Sequence, residues 1–191
     1  MLSSFNKALE ALLEWVVIVL MIALTVIVIV AVLFRIAGDS LSWYDEVAVV
    51  FLSWVTYYGA GLAALKRRHI GLDSVLLSLP MPLRMGAVVI AEIVVIGFFL
   101  VLAKSGFEVL EVLEGEYLVS LEWVPIQLTQ SIIPIGAILF IICELLSLPD
   151  YWKKTAAGIS LEHAEIEEEV ENELKNAKAL EEAKLKASGT S

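Results

Sequence analysis

Hydrophobic and polar positions in this chain come in blocks and are not finely interleaved. Trp15 to Phe34 contains no charge and a single polar residue, Thr25. Val47 to Leu65 is again uncharged, Gly86 to Ala103 carries one acid, Glu92, and Pro125 to Leu146 opens polar and holds Glu144 near its end. A helix rising 1.5 Å per residue needs about 20 apolar residues to cross the hydrocarbon of a bilayer. The blocks therefore predict an all-α membrane protein with four transmembrane helices, at about 13–35, 45–66, 86–104 and 125–147. The first block is too long for the core of a cleaved signal peptide and lacks a basic start, so it reads as a retained span. Residues 73–79 are too short to cross, and Pro80 and Pro82 oppose helix continuation. That segment is expected to be a short interfacial helix between the second and third spans. Residues 1–149 thus form the transmembrane domain. Residues 150–191 form an acidic tail, expected to be partly helical from favourable pairs such as Glu171–Lys175.

Composition sharpens the picture. Of 191 residues, 59% are hydrophobic, above the roughly 45–50% of soluble domains. The formal net charge of −10 gives no sign of a nucleic-acid partner. All the Lys and Arg except Arg35 and Lys104 lie in the N-terminal segment, the second connection or the tail. Cations favour the cytoplasmic side of short loops, which orients the chain with N-terminus and C-terminus both cytoplasmic. The connection holding Glu108, Glu111, Glu114, Glu116 and Glu122 then faces the exterior. Trp15 and Trp152 mark the inner boundary and Trp43 and Trp123 the outer one, where amphipathic rings prefer to sit. Trp54 is the exception.

Within the spans, Ser42 followed by Asp45 resembles a capping box at the start of the second helix. Thr56, Ala60 and Ala64 make a small-residue face suited to close helix approach. Pro134 cannot donate to the carbonyl of Gln130, so a kink is expected in the fourth span. Glu92 is an intramembrane acid with no basic residue inside a span to pair with. Lys66, Arg67 and Arg68 stand at the cytoplasmic end of the second helix, where phospholipid headgroups of the inner leaflet attract cations. On that reading the number of charges matters more than which cation carries them.

Candidate chemistry is sparse. There is no glycine-rich phosphate loop. Cys143 is the single cysteine, so neither an intramolecular disulfide nor a repeated-cysteine metal site is available. His69 and Asp73 stand four apart without the surrounding groups of an acid–base site. No catalytic, metal-binding, cofactor-binding or substrate-binding residue is assigned. The inverted repeats and broken helices of a complete secondary transporter are missing too. Residue by residue, the chain reads as an accessory or scaffold membrane subunit.

The stretch "SWYDEVAVVFLSWVTYYGAGLAALKRRHIGLD", followed by "LP" and later "VPIQLTQSIIPIGAIL", resembles the small membrane subunit of tripartite ATP-independent periplasmic (TRAP) transporters, the DctQ-type family. The matching positions are Glu46, Trp54, Gly59, His69, Ile70 and Asp73, with Pro125 and Pro134 in the fourth helix. The likeness covers about residues 5 to 148; the acidic tail departs from it. It implies a multi-pass protein of the bacterial inner membrane, partnered by a large multi-span TRAP subunit and a periplasmic substrate-binding protein. The large subunit would move a carboxylate-type solute by an elevator mechanism driven by a sodium gradient, and this chain would brace it. Glu46, Trp54, Gly59, Lys66, Arg67, Arg68, His69 and Asp73 are then the expected partner or lipid interface. The alternatives are a four-span channel or self-associating scaffold and, less favoured, a membrane-embedded enzyme using His69, Asp73 and Glu92.

Overall fold

The computed structural model describes residues 2–67, 78–157, 170 and 173–177. Four long apolar helices dominate: α1 (Leu2–Ile36), α2 (Tyr44–Leu65), α3 (Met81–Val112) and the pair α4 (Ile126–Gln130) and α5 (Ile132–Ala156). Each of the four is long and apolar enough to cross a membrane. The helices outrun the apolar blocks, because flanking polar residues such as Asn6 and Glu10 prolong the same hydrogen-bonded ladder. Pro82 fits at the second residue of α3, where its missing N–H is not needed. Among the described residues the regular β pairing is one isolated bridge, Tyr117 with Pro125, in the connection between α3 and α4. The expected interfacial helix at 73–79 lies largely outside the described residues, as does most of the tail.

Helix α2 does not begin with a capping box. Its N-cap is Trp43, without a side-chain cap, and Ser42 instead lends its carbonyl to the Ser120 hydroxyl at 3.1 Å. The expected kink appears as an interruption at Ser131 between α4 and α5. Ser131 N–H still reaches Gln127 O at 2.9 Å and Ile135 N–H reaches Ser131 O at 3.2 Å. Between them, Pro134 has no N–H for Gln130 O, which is where the ladder breaks.

The chain divides into two compact units, Met1–His69 with Val88–Pro149, and Ile70–Ala87 with Asp150–Ser191. In the first, α5 is the central element: 44% of the apolar window of α4–α5 is buried, against 6% for α1. Small residues let the backbones meet. A Cβ on Gly136 would lie 2.6 Å from Tyr57 Cβ, and one on Gly106 would lie 2.9 Å from Pro134 Cδ. Only glycine permits such approaches. Gly61 faces Leu139 and Cys143, and Ala64 is fully buried, whereas Thr56 is exposed and bonds its own helix at Leu52 O. The small-residue face of α2 is thus rotated from the expected stripe, with its Gly61–Ala64 part buried inside the subunit. Leu13 of α1, Ala64, Phe140 and Cys143 form the core, and Phe99 stacks on Phe140 with ring centroids 3.7 Å apart. In the second unit, the Arg84 guanidinium donates to Leu79 O at 3.1 Å and to Thr155 O at 3.2 Å.

Candidate functional site: a charged layer at one end of the bundle

Helix α2 ends at Leu65, with Lys66 as its C-cap. Arg67 follows with φ +53°, a left-handed conformation that L residues other than glycine seldom adopt. Its N–H bonds to Ala64 O at 3.2 Å, one of the bonds by which left-handed helix terminations satisfy their last carbonyls. The turn folds the side chain back among the helices. Arg67 Nη1 donates to Glu92 Oε1 of α3 at 2.5 Å and to Glu144 Oε1 of α5 at 2.7 Å. Nε donates to Ser147 Oγ at 2.8 Å and Nη2 to Glu144 O at 3.1 Å. The side chains of Arg67, Glu92 and Glu144 are only 11%, 12% and 5% exposed. Ser147 Oγ lies 3.1 Å from Ala64 O and 3.0 Å from Glu144 O, the acceptors within reach of its hydroxyl. One guanidinium joins three helices.

Lys66 turns the other way, toward α1. Its ammonium is hydrogen-bonded to Glu14 and lies 3.1 Å from Glu10. Glu10 and Glu14 are one helical turn apart, so they present two carboxylates to one cation. The bond to Glu14 raises the Lys66 pKa above its ordinary value, partly offset by desolvation, so the ammonium remains charged through the physiological range.

Two expectations need correction here. Arg67 does not point to phospholipid headgroups: its guanidinium is bound inside the subunit. Glu92 does have a basic partner, and it is Arg67. The signal was available, since Glu92 begins one span and Glu144 ends another on the same side of the bundle as the cations. Two intramembrane acids need cations, and the nearest candidates were Lys66 to Arg68. Arg68, His69, Ile70 and Asp73 lie outside the described residues.

At the opposite end the remaining expected residues also have internal roles. Glu46 sits in the first turn of α2 and accepts N–H bonds from Val119 at 3.1 Å and Ser120 at 2.8 Å. A carboxylate receiving two adjacent backbone donors fixes the 113–125 connection over the start of α2. Trp54 explains its place away from the boundary: its indole N–H donates to Thr129 O at 3.1 Å, in the polar segment of α4. Gln127 donates to Leu110 O at 2.9 Å, tying α4 to the end of α3. Gly59 differs from these, because a Cβ there would meet nothing within 4 Å.

From the charged layer to the far helix ends, Glu14 to Ile36, Tyr44 to Arg67, Glu92 to Val112 and Ile126 to Glu144 each cover roughly 27–35 Å at 1.5 Å per residue. That is close to the ~30 Å thickness of bilayer hydrocarbon. A bilayer spanning these lengths would meet the layer at one boundary and Glu46 with Trp123 near the other. An apolar cleft of about 310 Å³ opens between α1, α2 and the 113–125 connection, lined by Leu20, Phe51, Trp54, Leu121 and Trp123 among others.

Residues 24–153 match the family model of tripartite ATP-independent periplasmic transporters, DctQ component. The chain belongs to this family. It is thus a small permease subunit of the TRAP type, a multi-pass bacterial membrane protein from a transporter family and not from an enzyme family. Members of this family work with a large TRAP membrane subunit and a substrate-binding protein. None of the curated proteins matches the chain. The matched range holds Glu46, Trp54, Gly59, Arg67, Glu92 and Glu144, and it excludes Glu10 and Glu14.

Proposed function

We propose that this DctQ-family chain braces the large subunit of its transporter and has no solute path of its own. The large subunit, moving as an elevator, takes up a carboxylate-type solute that a periplasmic binding protein delivers, driven by a sodium gradient. Both termini of this chain face the cytoplasm and the membrane is the bacterial inner membrane. The observation that carries the reading is how the polar groups within the spans are used. Arg67 is bound to Glu92, Glu144 and Ser147, Trp54 to the Thr129 carbonyl, and Thr25, Ser53 and Thr56 to carbonyls of their own helices. Polar groups closed on one another hold helices in fixed register and leave few donors for a passing anion. A scaffold against which another subunit moves needs this rigidity.

Glu46, Trp54, Gly59, Lys66, Arg67, Arg68, His69 and Asp73 belong to the partner or lipid interface in this proposal, in two ways. Gly59 offers open surface to a neighbouring helix, while Glu46, Trp54 and Arg67 fix the frame behind it. Phospholipids of the cytoplasmic leaflet meet the outward cations.

Reconstitution tests the reading. Liposomes holding this chain alone, supplied with a purified binding protein and an inward sodium gradient, are expected to take up no solute. Liposomes that also hold the large subunit are expected to take it up. Solute-specific uptake by the chain alone would refute the brace, and ion conductance by the chain alone would favour a four-span channel.

A further inference from the structure

The apolar cleft between α1, α2 and the 113–125 connection is not accounted for by the brace. Its volume, about 310 Å³, lies at the lower end of the roughly 300–1,000 Å³ range of ligand clefts. Val47, Val50, Phe51 and Trp54 form its α2 wall, with Leu20 from α1 and Leu121 from the connection. The polar groups on these walls are closed on the protein. Trp54 N–H donates to Thr129 O at 3.1 Å and the Thr129 hydroxyl to Ile126 O at 2.8 Å. In the connection, Leu118 N–H donates to Val124 O at 3.0 Å and Val124 N–H to Leu121 O at 2.9 Å. A carboxylate solute finds no free donor there. A transmembrane helix does not fit either, because two turns of a cylinder 10–12 Å across fill roughly 850 Å³ or more. A single hydrocarbon chain fits. From Tyr44 to Trp54, α2 descends about 15 Å at 1.5 Å per residue, half the ~30 Å thickness of bilayer hydrocarbon. With a boundary near Glu46 and Trp123, that is the depth filled by the acyl chains of one leaflet.

We propose that the cleft seats one acyl chain of a zwitterionic phospholipid, in the leaflet at the Glu46 end, with the lipid phosphate on Arg35. Arg35 stands exposed in the last turn of α1. It is close enough to the Tyr44 hydroxyl for its charge to act on it, and Tyr44 is one helical turn before Val47 of the cleft wall. Among the described residues its guanidinium forms no ion pair, whereas Lys104 of α3 is paired with Glu108 at 3.6 Å. A guanidinium fork suits the oxygens of a phosphate. This end of the bundle is otherwise acidic, with Asp39, Glu111, Glu114, Glu116 and Glu122 exposed. One cation among acids complements a headgroup that carries both a phosphate and an ammonium, and it disfavours an anionic one. In the hydrocarbon the acyl chain gains dispersion contacts along Val47, Phe51 and Trp54 that an unfilled cleft forfeits. The Trp123 ring lies at the boundary, where amphipathic rings prefer to sit. The seat uses residues of this chain alone, so it holds for either orientation of the bundle and without the large subunit.

Native mass spectrometry of the full chain in mild detergent, titrated with phosphatidylethanolamine, counts bound lipid directly. The wild-type chain is expected to hold one such lipid saturably and to bind phosphatidylglycerol, which is anionic, more weakly. Val50→Phe places a ring in the cleft and is expected to lose the lipid. Arg35→Gln is expected to bind it about tenfold or more weakly, the scale of one lost hydrogen bond to a charged group. Arg35 is at the surface, so this variant is expected to melt with the wild type, and it decides the matter even where Val50→Phe fails to fold. A wild-type chain with no saturable lipid overturns the proposal, as does undiminished binding by Arg35→Gln or a preference for phosphatidylglycerol. A folded Val50→Phe chain that keeps its lipid overturns it too. If that chain also no longer retained the large subunit, the cleft would belong to a side chain of that partner.

Discussion

At Arg67 one residue meets two opposing requirements. Its left-handed backbone costs about 1–2 kcal/mol outside glycine, yet the same turn brings its guanidinium onto Glu92, Glu144 and Ser147. Breaking a buried ion pair from one side typically costs about 3–5 kcal/mol, so the pairing outweighs the backbone. Arg67→Met is expected to lower thermal stability in detergent by an amount in that range, because two carboxylates lose their cation. Arg67→Lys is not the silent exchange that a headgroup contact would allow. One ammonium cannot reach two carboxylates, a hydroxyl and a carbonyl from the positions of a planar fork. A loss of about 1–3 kcal/mol is expected, from the groups left unmet. Melting curves followed by size exclusion would check both, and an Arg67→Lys chain as stable as the wild type would return this residue to the role of a topology signal. Glycine at 67 would relieve the backbone and still destabilise, since the fork is gone.

Helix against helix, the fold depends on where side chains are small. Gly136 and Gly106 let α5 approach Tyr57 of α2 and lie against α3, and neither site has room for a methyl group. Gly136→Ala is expected to destabilise by about 1–3 kcal/mol through overpacking, seen as a lowered melting temperature. Gly59→Ala is the contrast. It meets no atom within 4 Å and gains the helix preference of alanine, so the isolated chain is expected to hold or gain up to about 1 kcal/mol. If Gly59 is the open surface for a partner helix, Gly59→Leu is expected to retain less of the large subunit through purification at unchanged stability of the chain alone. Equal retention by wild type and Gly59→Leu would move the partner to another face. The proline effect in the fourth span was legible from Pro134 and Gln130 alone, because a missing N–H is a property of the residue. The small-residue register on α2 was not: sequence spacing gives a face, and only the partner helix shows which part of it is covered.

For the whole molecule, the proposed topology, with both termini cytoplasmic, rests on the distribution of Lys and Arg. Single cysteines at Lys66 and Glu114, on a Cys143→Ala background, are expected to label from opposite sides of the membrane, with Glu114 accessible in intact spheroplasts and Lys66 only after permeabilisation. Labelling of both by an impermeant reagent in intact spheroplasts would reverse or break the assigned topology. The prediction concerns the bundle as a whole, because the helices that join the charged layer to the Glu46 end are about as long as bilayer hydrocarbon is thick.

Four spans and their order follow from the sequence by itself. Each rests on apolar length or on residue types that a lone helix in lipid already obeys, since a helix satisfies its own backbone wherever it lies. The family likeness was also legible, in the run from Glu46 through Asp73 and in Pro125 and Pro134. What the tertiary structure alone decided is the direction of side chains whose partners are distant in sequence. Arg67 and Glu144 are 77 residues apart, and Glu46 and Ser120 are 74. No local propensity marks Arg67 for a left-handed turn, because the turn is stabilised by carboxylates that reach it only after α3 and α5 have packed.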